Sequence, residues 1–152
     1  MIDWLADDIF GQGVASLPLV SIDLLVKDAV SERYLLGWRC NRPAADHWFV
    51  PGGRVRKNER LDDAFSRLSE FELGVDLHRS AAQWRGVYQH FYDDYVFGEG
   101  VSTHYIVLAY EVIVDLSRLV LPTEQHSKYR WMTREEITES TLVHQYSKDY
   151  FQ

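Results

Sequence analysis

Residues 51–75 make two demands that few folds meet together: a Gly-Gly turn closing a strand, and one amphipathic helix stopped by a further glycine. Residues 48–50 (WFV) read as a short strand ending at Pro51-Gly52-Gly53. Asn58 is expected to cap the helix that follows, and Glu59, Asp62 and Asp63 suit the positive end of its dipole. Leu61, Phe65, Leu68 and Phe71 or Glu72 recur at three- and four-residue spacing, and Gly74 is placed to end the helix in a left-handed turn.

Strand signals flank that helix. Residues 17–27 (LPLVSIDLLVK) and 33–39 (RYLLGWR) read as strands before it, and 84–91 (WRGVYQHF) and 104–114 (HYIVLAYEVIV) as strands after it. The acidic, glycine-containing stretch 92–102 is expected to be a loop, and 129–131 a last short strand. Thr133-Arg-Glu-Glu136 has capping-box spacing for a short helix, and 141–151 is expected to form a terminal helix. Strands mixed with a central helix and terminal helices predict an α/β fold on one core, a single domain over residues 1–152.

The chain is rich enough for such a core: 46% of its 152 residues are hydrophobic and 14% aromatic. Trp84, Tyr88 and Phe91 are read as core and cleft walls. The net charge of −7 at pH 7, with no run of basic residues, argues against a nucleic-acid partner. An anionic ligand must then be held by a few placed arginines, a metal ion, or both. No apolar stretch approaches the ~20 residues of a membrane span. The opening Met-Ile-Asp-Trp-Leu-Ala-Asp-Asp lacks the basic stretch of a secretory signal, and Cys40, the one cysteine, is expected to be an idle thiol. Together these features predict a cytoplasmic protein.

Gly53, Glu59, Arg67, Glu72, Gly74 and Val75 have the spacing of the Nudix box, in which a glycine, five residues, a glutamate and seven residues precede R-E-U-x-E-E-x-G-U, U being bulky and aliphatic. The chain departs from that box at Leu68 and Phe71, where acids usually stand. Positions 68, 71 and 72 share one helix face, so this face offers Glu72 alone; Glu70, two residues away, points elsewhere. One strong ligand from the helix implies one metal ion. Beyond the box, the chain resembles the GDP-mannose mannosyl hydrolase branch of the Nudix family over nearly its whole length, including Pro18–Asp23, Leu35–Arg39, Asn41–Ala44, Trp48–Val55, Gly86–Asp94, Thr103–Tyr105 and Glu124–His126.

The resemblance implies a Nudix α/β/α sandwich with a mixed sheet, a homodimer, and Mg²⁺-dependent hydrolysis of GDP-mannose, and of GDP-glucose, to GDP and free sugar. It implies one Mg²⁺ per subunit, replaceable by Mn²⁺, held by the Gly52 carbonyl, Glu72 and Gln125. Arg39 and Arg54 are the implied clamps on the leaving diphosphate, where bidentate guanidinium contacts strengthen as charge grows. His126 is the implied general base, with Asp23 and His90 near the sugar. Asp23 is otherwise read as simply pairing with Arg39. Arg67 either contacts substrate or orients Glu72 from behind, and Tyr105 either contacts GDP or fills a cross-strand position. Two other activities stand against this one: a Nudix diphosphatase cutting P–O, and a non-catalytic nucleotide-sugar binding module.

Overall fold

The longest apolar run becomes the strand buried on both faces. In the computed structural model, which describes residues 5–121 and 128–152, β1 (Leu19–Asp28) turns Ile22, Leu24 and Val26 into one core and Leu25 into another. β1 lies parallel to β6 (Gly98–Val114), in register from Leu19↔Tyr105 to Asp28↔Val114. β6 pairs antiparallel with β5 (Gln83–Tyr95), an edge of the sheet. On its other side β1 is shared between two partners. It meets β2 (Tyr34–Arg39) at Lys27↔Tyr34, while Ser21–Asp23 pair with β4 (Gly52–Arg54). β3 (His47–Phe49) and β7 (Tyr129–Met132) both pair with β2, giving a mixed sheet of seven strands among the described residues.

Each face is covered by helix. α2 (Leu61–Leu73) packs Ala64, Phe65, Leu68 and Leu73 against Ile22, Leu24 and Val26, and fully burying a side chain such as Phe65 contributes about 1.5–3 kcal/mol. On the opposite face lie α3 (Arg134–Glu139), α4 (Gln145–Lys148) and a short 3₁₀ turn (Asp149–Phe151), which bury Ile137, Tyr150 and Phe151 with Leu25, Leu36 and Trp48. An N-terminal helix, α1 (Asp7–Ser16), lies against β6. No helix among the described residues is long and apolar enough to cross a membrane.

The observed elements depart from the expected ones in five places. The expected loop at 92–102 is mostly strand: β5 and β6 continue to a two-residue turn at Val96-Phe97, with Asp94 opposite Glu99 and Tyr95 opposite Gly98. Asn58 does not cap α2. It sits in a left-handed turn (φ 65°), and Arg60 takes the cap position without a side-chain bond. The expected terminal helix is interrupted, because Val143 bridges to Trp48 and His144 starts α4 by accepting the Tyr146 N–H at Nδ1. Trp84 and Phe91 are half exposed instead of core, since they project from the edge strand. α1 had no expected counterpart, its pattern being diluted by Gly11 and Gly13. Gly74 ends α2 as expected (φ 72°), and Thr133 and Glu136 form the expected capping box of α3.

Candidate functional site

The division of β1 between β2 and β4 leaves a cleft where the two partners part. Gly52 of β4 lies opposite Asp23 of β1, and a Cβ on Gly52 would run into Asp23 Oδ1 and the Ile22 carbonyl. Only glycine lets the backbone pass so close. A Cβ on Gly53 would likewise strike the Leu68 side chain, so the Gly-Gly strand lies directly on α2. Two adjoining cavities result. One, of about 290 Å³, lies on the α2 side between Arg54, Arg56, Arg67, Leu68 and Phe71. The other, of about 360 Å³, is walled by Asp23, Arg39, His90, Tyr92 and Tyr105. Gly52, Gly53, Arg54 and Glu72 border both.

Glu72 is 3% exposed, while Glu70 is exposed on another face of α2, as its position two residues away requires. Among the described residues no three His, Cys, Asp or Glu side chains are grouped for a metal. One buried carboxylate beside the backbone of two glycines instead offers oxygen donors of the kind a hard cation takes. Gln125 and His126, the other expected ligand and the expected base, lie outside the described residues.

The cavity places Arg39 and Arg54 on its wall together. Arg39 donates from Nη1 to the Pro43 carbonyl at 2.9 Å and lies 3.6 Å over the Phe49 ring, so its guanidinium is aimed by a carbonyl and an aromatic face. Burial, then the nearby positive Arg56 and Arg67, lowers the Arg54 pKa, with Tyr105 acting the other way. Such a group gains from an incoming anion.

Asp23 does not find its hydrogen bond in Arg39. Its Oδ2 accepts from the Tyr150 hydroxyl at 2.5 Å, and Arg39 acts on it only through its charge. Burial pushes the Asp23 carboxyl up to about 6, Glu72 adds to the rise, and Tyr150 and Arg39 hold it down. His90 is buried, and desolvation, with His144 and Arg39 nearby, pushes its imidazole down to about 4. It is therefore neutral at pH 7. Arg67 forms a bidentate pair with Glu59 at 2.7 and 2.9 Å and donates to the Arg54 carbonyl at 2.8 Å, tying the loop to α2. Tyr105 lines the larger cavity, and burial raises its pKa. Cys40 is exposed with a free thiol.

A glycine pair lying on a helix that ends Glu72-Leu-Gly74, with the Glu59–Arg67 pair closing the loop between, is the Nudix box in three dimensions. The NUDIX domain model matches residues 18–151. The chain belongs to the Nudix family. Its sheet flanked by helices is the Nudix fold, and by family the chain is a Nudix hydrolase. The low-salt glycan biosynthesis protein Agl8 of Haloferax volcanii is 44% identical over 125 residues, covering 82% of this chain and 76% of that protein. The MutT protein of Methanosarcina mazei has the same fold at a TM-score of 0.69 and 22% identity, covering 88% of this chain and 91% of that one. The NUDIX domain of NrtR from Shewanella oneidensis, solved with ADP ribose, superposes at a TM-score of 0.64 and 14% identity, covering 96% of each chain. Nudix proteins typically employ divalent metals, and the donor set around Glu72 is compatible with one.

Sequence reasoning missed two residues that line the cleft and one behind its wall. Tyr92 was legible as two residues beyond His90 on the same strand face. Phe49 and Tyr150 were not, because each acquires its role from a partner distant in sequence.

Proposed function

We propose that this Nudix hydrolase releases the free sugar from a GDP-sugar, GDP-mannose first and GDP-glucose second, by attack of water at the anomeric carbon with inversion. The observation that carries this reading is the cleft face of α2. Leu68 is buried in the core and Phe71 lines the smaller cavity where the family box usually has acids, so Glu72 is the carboxylate that α2 brings to the cleft. Chemistry at phosphorus assisted by several metal ions needs more carboxylates than that. Substitution at carbon needs less, because GDP leaves without being protonated once its charge is offset.

Gly52, Glu72 and Gln125 would hold one Mg²⁺ or Mn²⁺, which when bound offsets diphosphate charge. Arg39 and Arg54, both on the cavity wall, would bind the diphosphate and stabilise it as it departs. His126 would accept the proton of the attacking water. Asp23 and His90 would bind the sugar, and Tyr105 the GDP. Arg67 supports Arg54 through its carbonyl and is better read as holding the loop than as touching substrate. The glycan-biosynthesis name of the Haloferax relative agrees with a sugar-nucleotide substrate. A cytoplasmic location is part of the same proposal. A homodimer of single-domain chains is part of this proposal. The half-exposed Trp84, Val87 and Phe91 on β5 support it, and light scattering tests it.

Hydrolysis of GDP-mannose in ¹⁸O-water, followed by early NMR, tests the reaction. Label in mannose with the β-anomer in excess is expected. Label in a phosphate would assign the chain to diphosphatase chemistry, and α-mannose first would rule out inversion.

A further inference from the structure

The segment after residue 140 reaches the cleft wall from behind at three places. His144 stacks on Phe49 with ring centroids 4.7 Å apart, and Tyr146 stacks on His90 at 4.3 Å and 7°. The third contact is the hydroxyl of Tyr150, which donates to Asp23 Oδ2 at 2.5 Å and lies 3.4 Å from His90 Nε2. Tyr150 is 2% exposed, so substrate in the cleft meets Asp23 and His90 and not the phenol behind them. We propose that Tyr150 is a positioning residue, its buried hydroxyl joining Asp23 of β1 to His90 of β5 and fixing both carboxylate and imidazole for the sugar half of the substrate. The role rests on the sugar-releasing reading above.

The phenol is itself held at several points. Its ring packs edge-on against Tyr88 at 4.6 Å, and its backbone carbonyl accepts from Arg85 Nη2 at 3.2 Å. Arg85 is in turn paired with Glu111, and the carbonyl of Phe151 accepts from Arg134. A ring fixed at both ends delivers its hydroxyl to one place. The phenol has one proton, and the shorter contact sends it to Asp23. The contact with His90 is then satisfied by a proton on His90 Nε2, which leaves His90 Nδ1 as the acceptor. One hydroxyl thus sets the direction of a carboxylate and the tautomer of an imidazole on two different strands.

Tyr150→Phe keeps the ring and removes only the hydroxyl. Its kcat on GDP-mannose with Mg²⁺ should fall between about 10- and 100-fold, the cost of slight misplacement of reacting groups. Inhibition by GDP, which lacks the sugar, should stay within about twofold of wild type. In an Asp23→Ala background the same change should cost clearly less than it does in wild type, because the nearer of the two groups it acts through is gone. An unchanged kcat, or an undiminished further loss in the double variant, overturns the proposal. A second arm is independent of turnover and of the folding of Tyr150→Phe. A slowly exchanging, downfield tyrosine hydroxyl proton should appear in wild-type NMR spectra and vanish in Asp23→Ala. Its survival there would show that Tyr150 does not serve Asp23. If the wild type releases no mannose, the hydrolysis reading fails on its own while the hydroxyl signal still decides the contact.

Discussion

Glu72 is the carboxylate that α2 turns into the cleft, so its substitution has the clearest expected outcome. Glu72→Gln should abolish most Mg²⁺-dependent turnover, whereas Glu70→Gln, on the exposed face, should be nearly silent; steady-state rates with and without chelator check both. His126→Gln should lower the rate by about 10²–10⁴ and leave GDP affinity unchanged, as loss of a general base does. Asp23 carries a cost in stability. Its pKa is about 6 in the folded protein against 3.8 as the ordinary value, so it contributes fully below pH ~4 and loses that contribution as pH rises through about 6. In metal-free protein, Asp23→Asn should therefore raise the unfolding free energy at pH 7.5, by at most about 3 kcal/mol for a two-unit shift, and give no gain near pH 3.5; urea denaturation at the two pH values checks it. Asp23 was legible in the sequence as an awkward carboxylate in an apolar strand. Its partner was not, since Tyr150 lies 127 positions away and reads locally as one more aromatic.

Among elements, those governed by neighbours in sequence were legible and those governed by distant partners were not. Gly74 and the Thr133 capping box each act within one helical turn, and both are where the sequence puts them. The start of α2 is set instead by Glu59, which accepts from Arg67 across eight residues and from the Arg56 N–H at 3.0 Å. That pair lowers the Glu59 pKa, and it holds the loop from Arg54 to Asn58 against the helix. Lysine cannot reproduce a bidentate fork. Arg67→Lys should destabilise the protein by about 2–3 kcal/mol in urea denaturation, somewhat less than the loss of a fully buried pair because Arg67 is partly solvated. It should also weaken GDP binding by loosening Arg54. The outer part of the β5–β6 hairpin was not legible because its acidic, glycine-bearing tip looks like a loop, yet cross-strand pairing continues to its last residues.

For the whole molecule, the face packed by α4 makes acid the natural denaturant. His90 and His144 are both held down to about 4, mainly by burial, so their stabilising contribution is present above pH ~6.5 and is lost as pH falls toward 4. Protonation of His144 also removes the Nδ1 acceptor that starts α4. His144→Asn supplies an alternative helix-starting oxygen without a titrating ring. Its melting temperature should fall less than that of wild type between pH 7.5 and 5. The parallel join of β1 to β6 has a consequence in time. Asp23 and His90 are on strands that touch only through β6, and the Leu19↔Tyr105 register spans 86 positions of chain. The β5–β6 hairpin closes a short loop and forms fast, whereas docking β1 beside it must wait for a long closure. Refolding should therefore restore hairpin fluorescence from Trp84 before it restores GDP binding, and the slower rate should be the one at which the cleft comes into existence.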